Sequence, residues 1–215
     1  MKYFKTPHLP NSPGIGSATR DDKILSSIDH FIGKKLVTTI KMDGSNVCLS
    51  RDFLHARSEN GPPSHKSFSP LKAVYGAMKN SLDKDLVYYG EWLYAKHSIH
   101  YKNLNSYLQI FNIYSISKEE WLSFDDLEKE CLKLQFIAVP LMYEEFVENE
   151  GDFNDLIKSS LDWLSSVDED DSEGIVVRVS DSFKDPEVSI AKWVRKNHVQ
   201  TDDHWLHQEI KKQNI

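Results

Sequence analysis

One stretch organises this chain: Lys41-Met42-Asp43-Gly44-Ser45-Asn46. It follows an apolar and β-branched run at 36–40 and precedes a second apolar run at 47–49. Gly44 permits a tight turn and close approach of backbone to a ligand, and the N–H groups of such a turn can face a phosphate. Burial at a strand end favours the neutral lysine amine, which is a nucleophile. The stretch therefore predicts a covalent Lys41 beside a nucleotide phosphate. The alternative is a β-hairpin in which Asp-Gly is only the turn.

The composition is that of an ordinary globular chain. Its 215 residues fit one domain, and 40% are hydrophobic and 27% charged. No apolar run approaches the roughly 18–20 residues of a membrane span, and the first residues lack the apolar stretch of a secretory signal. Only two cysteines occur, Cys48 and Cys131, so no disulfide framework is indicated. We therefore expect a single domain over residues 1–215, in a cytoplasmic setting and without membrane contact.

The charge is unevenly distributed along the chain. The formal net charge of −7 argues against a uniformly basic nucleic-acid binder. Residues 1–100 nevertheless carry more Lys and Arg than Asp and Glu, whereas residues 101–215 carry an acidic excess. Because Lys41 lies in the basic half, a local positive field could steer a polyanion towards it. The alternative is that the bias is only a solvated surface.

Hydrophobic periodicity predicts a mixture of strands and helices. Strands are expected at 36–41, 46–51, 86–94, 107–114, 174–179 and 188–194, and a short strand from His55 is expected to run into a turn at Asn60-Gly61. Helices are expected at 23–33, 71–82, 118–134, 153–164 and 200–211. Ser117 and Glu120 have the spacing of a capping box for the third of these helices. Because strands and helices do not alternate strictly, we predict an α+β class with antiparallel sheets flanked by helices.

Four more charged residues lie inside apolar strands or at their ends. They are Arg57, Glu91, Glu173 and Lys192. A charge in an apolar strand is costly unless it is paired or functional. Together with Lys41, these residues predict one shared polar pocket. The alternative is a set of unrelated salt bridges.

The order of these motifs resembles that of the covalent nucleotidyltransferase superfamily and, within it, the ATP-dependent RNA ligase family. The matching segments span 41–196 and are Lys41-Met42-Asp43-Gly44, Arg57-Ser58-Glu59-Asn60-Gly61, Tyr89-Gly90-Glu91-Trp92, Ile110-Phe111-Asn112-Ile113-Tyr114, Ser172-Glu173-Gly174-Ile175-Val176 and Ala191-Lys192-Trp193-Val194-Arg195. Segments 95–99 and 203–207 also resemble a bacterial and phage branch of RNA ligases. The resemblance implies a nucleotidyltransferase (ATP-grasp-like) domain.

The resemblance implies nucleotide-binding roles for the matched residues. Lys41 would attack the α-phosphate of ATP and carry AMP as a phosphoramidate, with Asp43 and Gly44 in the turn beside the nucleotide. Glu91 would accept hydrogen bonds from the ribose hydroxyls. Phe111 would stack on the adenine, a contact that aromatic side chains make well.

Further roles concern phosphates and metal. Arg57 would contact the ribose or the phosphate of the incoming strand. Glu173 would hold Mg²⁺ or Mn²⁺, since such ions prefer carboxylate and phosphate oxygens, and Lys192 would neutralise α-phosphate charge. Known RNA ligases place a second lysine where this chain has Val194, so Lys196 is the expected substitute.

The resemblance also bears on domain content. Fewer than 20 residues follow Lys196, which predicts that there is no C-terminal OB domain. Whatever orients the leaving pyrophosphate must then come from residues 1–215 or from a partner protein.

The function implied is an ATP-dependent RNA ligase that joins 5′-phosphate and 3′-hydroxyl RNA ends through lysyl-AMP, with a nicked duplex as a further candidate substrate. The alternatives are a minimal DNA ligase, a capping-type guanylyltransferase and a non-catalytic nucleic-acid-binding relative. A pure binder, however, has no use for a covalent lysine. The pairs His97-x-x-His100 and His204-x-x-His207 could suggest zinc, but no cysteine pairs at metal spacing accompany them.

Overall fold

Two sheets form the frame of the fold, and the chain crosses from one to the other at residues 42–44. The computed structural model describes residues 2–17, 23–56, 61–167, 172–196 and 210–215. Its strands are β1 Lys34–Lys41, β2 Ser45–Leu49, β3 Leu54–Ala56, β4 Leu86–Trp92, β5 Leu108–Ser115, β6 Glu120–Trp121, β7 Ile137–Ala138, β8 Leu141–Val147, β9 Gly174–Val179 and β10 Ile190–Val194.

The strand order separates β1 from β2. The first sheet has the order β10-β9-β1-β8, and the second follows the path β3-β2-β4-β5-β6, with β7 beside β5. All pairs are antiparallel except β5–β7. Because β1 and β2 lie in different sheets, the hairpin alternative for Asp43-Gly44 is wrong. The predicted class of antiparallel sheets with flanking helices is confirmed.

Within the described residues, three α-helices pack on this frame: α1 Ser69–Met78, α2 Phe124–Leu134 and α3 Glu150–Val167. Short 3-10 turns lie at Pro13–Ser17, Asp29–Phe31, Lys66–Phe68, Lys79–Ser81 and Pro186–Val188. Helix α3 contributes Phe153 and Leu156 to a buried cluster that also contains Leu36 of β1. In the same region the hydroxyls of Thr38 and Ser160 lie 2.8 Å apart. In the described part of the chain, no helix is long and apolar enough to cross a membrane.

The opposite face of β1 meets the second sheet. Register pairs place Val37 beside Arg178, and the side chain of Arg178 is almost fully buried. Its Nη1 donates to Asn112 Oδ1 at 2.9 Å, and its Nη2 donates to the Leu122 carbonyl at 2.6 Å. Since side chains alternate along a strand, Lys41 points to the same face as Val37. Lys41 therefore faces the space between the two sheets.

Several predicted elements are corrected by the structure. The helix predicted at 23–33 is only the turn Asp29–Phe31, because the residues before it bond to the N-terminal segment: His8 N–H donates to the Lys23 carbonyl at 2.7 Å. Helix α2 begins later than predicted, and its cap is Ser123, whose hydroxyl accepts from Asp126 N. The predicted cap Ser117 instead donates to Asp85.

Other segments were missed or lie outside the described residues. Strands β6, β7 and β8 were not predicted. Strand β6 lies where the helix at 118–134 was expected to begin, and β8 forms an edge of the first sheet. Most of the helix predicted at 200–211 falls outside the described residues, and so do 57–60, where the third strand was expected to end. The other predicted strands and helices are confirmed within a few residues at each end.

Candidate active site

The centre of the site is an ion pair between Lys41 and Glu173. Lys41 ends β1 and pairs in register with Gly174, so the residue before Gly174 lies beside it. Lys41 Nζ donates to Glu173 Oε2 at 2.5 Å, and their side chains are 24% and 14% exposed. Gly174 has φ +153°, and a Cβ there would lie 2.0 Å from the Trp193 carbonyl oxygen. Only glycine fits this close approach, which brings Glu173 to the lysine.

Asp43 ties the turn to a distant loop. One carboxylate oxygen, Oδ2, accepts hydrogen bonds from the backbone N–H groups of Ser98 and Ile99, each at 2.8 Å. The backbone N–H of Asp43 donates to Tyr101 Oη at 2.8 Å. The predicted nucleotide contact of Asp43 stays a prediction. The observed hydrogen bonds of Asp43 hold the loop 97–101 against the turn.

Gly44 connects the turn to the second sheet. Its backbone N–H donates to Glu91 Oε1 at 3.0 Å, and a Cβ at Gly44 would lie 2.7 Å from the Trp92 carbonyl oxygen. Burial raises the pKa of the Glu91 carboxyl to about 8; the Lys41 ammonium opposes this shift, and Glu173 adds to it. Glu91 therefore shares the polar pocket with Lys41, as its position within an apolar strand suggested.

The charge state of Lys41 differs from the one expected. Burial by itself would lower the pKa of Lys41, but Glu173, Glu91 and Asp43 together outweigh burial and hold the pKa above its ordinary value. The expectation of a neutral amine rested on burial and took no account of three neighbouring carboxylates. In the ligand-free protein, Lys41 is an ammonium, and it must lose a proton before it can act as a nucleophile.

Lys192 lies on the same face of the first sheet as Lys41. Lys192 pairs with Val176, and Val176 pairs with Thr39. This row of residues lies two residues along the strands from the row of Lys41 and Gly174, so its side chains point to the same face. The edge strand that carries Lys192 is held by the N-terminal segment, since Lys192 N–H donates to the Pro7 carbonyl at 2.9 Å.

Phe111 occupies an irregular position in β5. Tyr89 pairs with Asn112 and Gly90 with Ile110, so Phe111 is the extra residue of a bulge. Its half-buried ring contacts Tyr3 edge-on, with centroids 5.0 Å apart. The bulge redirects this aromatic side chain, as bulges near functional sites commonly do.

Two other predicted site residues, Lys196 and Arg57, have no established place in this cluster. Strand β10 ends at Val194, and Lys196 lies exposed beyond it, so strand alternation does not place it beside Lys192. Arg57 lies outside the described residues. The roles of both remain predictions.

Sequence reasoning missed the residues that fix the turn at 42–44 by hydrogen bonds. Tyr101, Ser98 and Ile99 contact Asp43, and His97 Nε2 lies 3.2 Å from Ser45 Oγ. Segment 95–99 already carried a family-like pattern, which was the available signal. Its contact with the turn joins residues more than fifty positions apart, and no local pattern predicts such a contact.

No ready-made metal cage is present in the described ranges. Among those residues, no group of three or more His, Cys, Asp and Glu is arranged to hold a metal ion. His97 and His100 are not part of such a group, and His204 and His207 lie outside the described residues.

Comparison with known proteins identifies the fold. No curated protein matches the sequence. Solved structures of the Naegleria gruberi RNA ligase are similar in fold. An apo variant has a TM-score of 0.56 at 15% identity and covers 93% of this chain and 57% of that one. A variant with AMP and Mn has a TM-score of 0.54 at 14% identity over 93% and 57%. A variant with ATP and Mn has a TM-score of 0.51 at 16% identity over 80% and 53%.

This chain therefore spans little more than half the length of these structures, and at such identity the likeness shows the fold alone. The family is shown by the sequence itself, because the RNA ligase family model matches residues 34–194, which is most of the chain and contains Lys41, Glu91, Glu173 and Lys192. The chain belongs to the RNA ligase family.

Proposed function

We propose that this protein is an ATP-dependent RNA ligase that joins 5′-phosphate and 3′-hydroxyl ends through a lysyl-AMP intermediate, on a nucleotidyltransferase (ATP-grasp-like) domain. The observation that carries the proposal is the position of Lys41. Its amine lies 2.5 Å from Glu173 and on the sheet face that also bears Lys192, within the region matched by the family model. The Naegleria gruberi RNA ligase, which has been solved with ATP and Mn and with AMP and Mn, supports the choice of nucleotide.

The first step would be attack of the neutral Lys41 amine on the α-phosphorus of ATP. An N–P bond forms, the bond between the α-phosphorus and its bridging oxygen breaks, and pyrophosphate leaves. Glu173, 2.5 Å from Nζ, is placed to hold the proton that the amine loses. Lys192 would neutralise charge that develops on the α-phosphate.

Two further transfers complete the reaction. The RNA 5′-phosphate attacks the phosphorus of lysyl-AMP, so the P–N bond breaks and the Lys41 amine is released. The 3′-hydroxyl of the second end then attacks the activated 5′-phosphate, a phosphodiester forms, and AMP leaves. RNA repair is the process that this sequence would serve.

The remaining nucleotide contacts are proposed from position. Glu91 would accept hydrogen bonds from the ribose hydroxyls, and Phe111 would stack on the adenine from its bulge. Arg57 and Lys196 would contact phosphates. A single domain over 1–215 and a cytoplasmic setting complete the proposal, the latter because Cys48 and Cys131 are both free and buried.

The site fits a divalent metal that arrives with nucleotide phosphates. Mg²⁺ usually takes only one or two protein carboxylates and keeps water and phosphate oxygens as its other ligands. Glu173 can supply such a carboxylate without a three-residue cage. A bound Mg²⁺ or Mn²⁺ would supply positive charge to the phosphates and favour the neutral form of the neighbouring amine.

Labelled ATP tests the proposal directly. Protein incubated with α-labelled ATP and Mg²⁺ should carry label through a denaturing gel, and the label should survive alkali and be lost in acid, as a phosphoramidate requires. Lys41→Ala should carry none, and Lys41→Arg should also fail because guanidinium stays protonated. Lys158→Ala, at an exposed lysine paired with Asp162 on α3, is the matched control. A full-yield adduct in Lys41→Ala would overturn the proposal.

The same assay separates the alternatives. Labelling from GTP in place of ATP would indicate a capping-type guanylyltransferase, and sealing of DNA ends in preference to RNA ends would indicate a DNA ligase. A non-catalytic binding protein would take label from neither nucleotide.

A further inference from the structure

A basic face, formed by residues 94–107 and 210–215, lies next to the turn at 42–44 that follows Lys41. Within these two segments there is no Asp or Glu, although the chain as a whole has a formal net charge of −7. Their basic side chains are Lys96, His97, His100, Lys102, Lys211 and Lys212. Of these, His100, Lys102, Lys211 and Lys212 are exposed. Positive charge is therefore concentrated here on an otherwise acidic protein.

Hydrogen bonds make the two segments one surface. Lys96 N–H donates to the Lys211 carbonyl at 2.7 Å, and Gln213 N–H donates to the Tyr94 carbonyl at 3.0 Å. The Gln213 side chain is almost fully buried; its Oε1 accepts from Tyr101 N at 2.9 Å, and its Nε2 donates to the Ile99 carbonyl at 2.8 Å. The backbone of 210–215 is consequently held beside that of 94–107, and this brings Lys211 and Lys212 to the same surface as Lys96.

Aromatic rings are interleaved with these charges. Lys212 Nζ lies 5.6 Å from the ring centroid of Tyr94 and 5.5 Å from that of Tyr107, which is cation–π distance. Tyr94 also stacks on Trp92, with an interplanar angle of 8°. Basic side chains mixed with aromatic rings are the pattern with which proteins bind single-stranded nucleic acid, because cations attract phosphates and rings stack on bases.

The basic face is also joined to the reactive centre. The inner side of its loop donates two hydrogen bonds to Asp43 through Ser98 and Ile99, and His97 reaches Ser45. Asp43 lies two residues from Lys41. A strand bound to this face would therefore have its end close to the amine that carries the nucleotide.

We propose that the basic face binds the phosphate backbone of the RNA strand whose end is joined at Lys41. This inference rests on the proposed function and adds the place where the substrate lies. A polyanion fits the face better than an apolar partner does, because seven of its eight exposed residues are lysine, histidine or asparagine and Ile215 is its one exposed large apolar residue. Removing one cation that binds a phosphate should reduce the dependence of log K on log salt by about 0.7 for a single strand.

The test removes two of these charges and keeps their side-chain stems. In Lys211→Gln/Lys212→Gln, binding of a fluorescent single-stranded RNA with a 5′-phosphate and a 3′-hydroxyl is measured by anisotropy from 0.05 to 1 M NaCl. We expect binding about 10- to 25-fold weaker near 0.1 M salt, a salt slope smaller by about 1.4, and convergence with wild type near 1 M. Lys129→Gln/Lys158→Gln, exposed lysines on α2 and α3, changes net charge equally and should bind as wild type does.

Two further measurements keep the outcome decisive. Lys96→Gln alone provides a second variant should the double variant unfold, and its salt slope should fall by about 0.7. Adduct formation from ATP without RNA should match wild type in all three variants, so an absent adduct in wild type would reject the proposed function and not the basic face. Wild-type affinity and salt slope in the double variant, or equally weakened binding in the control, would overturn this inference.

Discussion

Glu91→Gln would isolate the charge of one buried carboxyl without changing its shape. Glutamine keeps the oxygen that accepts the Gly44 N–H at 3.0 Å, and it removes the group whose pKa burial raises from 4.5 to about 8. The substitution therefore tests whether burial disfavours the ionised form of the Glu91 carboxyl.

The magnitude follows from linkage between protonation and folding. A carboxyl with a raised native pKa binds more protons in the folded state than in the unfolded state between pH 4.5 and 8. Stability must therefore fall as pH rises through that window. The full shift corresponds to at most about 5 kcal/mol at 1.36 kcal/mol per unit. We expect about 1–3 kcal/mol, because a site with an ionised carboxyl relaxes and admits water.

Urea denaturation at pH 5, 6, 7, 8 and 8.5 measures the effect. The unfolding free energy of Glu91→Gln relative to wild type should be near zero at pH 5 and more favourable by about 1–3 kcal/mol at pH 8.5. Glu145→Gln, an exposed residue of β8, controls for the loss of one negative charge. Parallel stability curves for Glu91→Gln and wild type across the whole range would refute the reasoning.

Four further outcomes are expected. Glu173→Ala should lose about 10²–10³ in ligation rate while its melting temperature shows an intact fold, and near wild-type ligation would reject its role. Because the pKa of Lys41 is raised, the rate of adduct formation should increase about tenfold per pH unit from pH 7 to 8.5, and a flat profile would contradict this. Gly174→Ala should destabilise the fold by at least about 3 kcal/mol, since its Cβ would lie 2.0 Å from the Trp193 carbonyl oxygen; a folded variant of normal melting temperature would be evidence against the close approach. Gln213→Ala should cost about 2–4 kcal/mol in urea denaturation, because it leaves two buried backbone groups without partners, and an unchanged midpoint would show that the segment 210–215 is not anchored as described.

Local signals in the sequence determined much of the architecture. The alternation and β-branching around 36–41, 86–94 and 174–179 predicted β1, β4 and β9, because a strand with a buried face repeats every two residues. Local signals gave wrong predictions where contacts with distant segments of the chain determined the structure. Residues 23–33 have helical periodicity, but the N-terminal segment takes the backbone bonds of 23–25. The edge strand β8 has mainly exposed side chains, so its sequence carries little alternation.

For the site, the sequence alone selected the candidate residues, since the order of motifs around Lys41, Glu91, Glu173 and Lys192 resembles a nucleotidyltransferase pattern. Only the tertiary structure decided their charge state and support. The raised pKa of Lys41 depends on carboxylates from two different sheets, and the turn is held by a loop that is itself anchored by Gln213. Electrostatic interactions and hydrogen bonds depend on distance in space, and a linear pattern specifies that distance only between near neighbours in the chain.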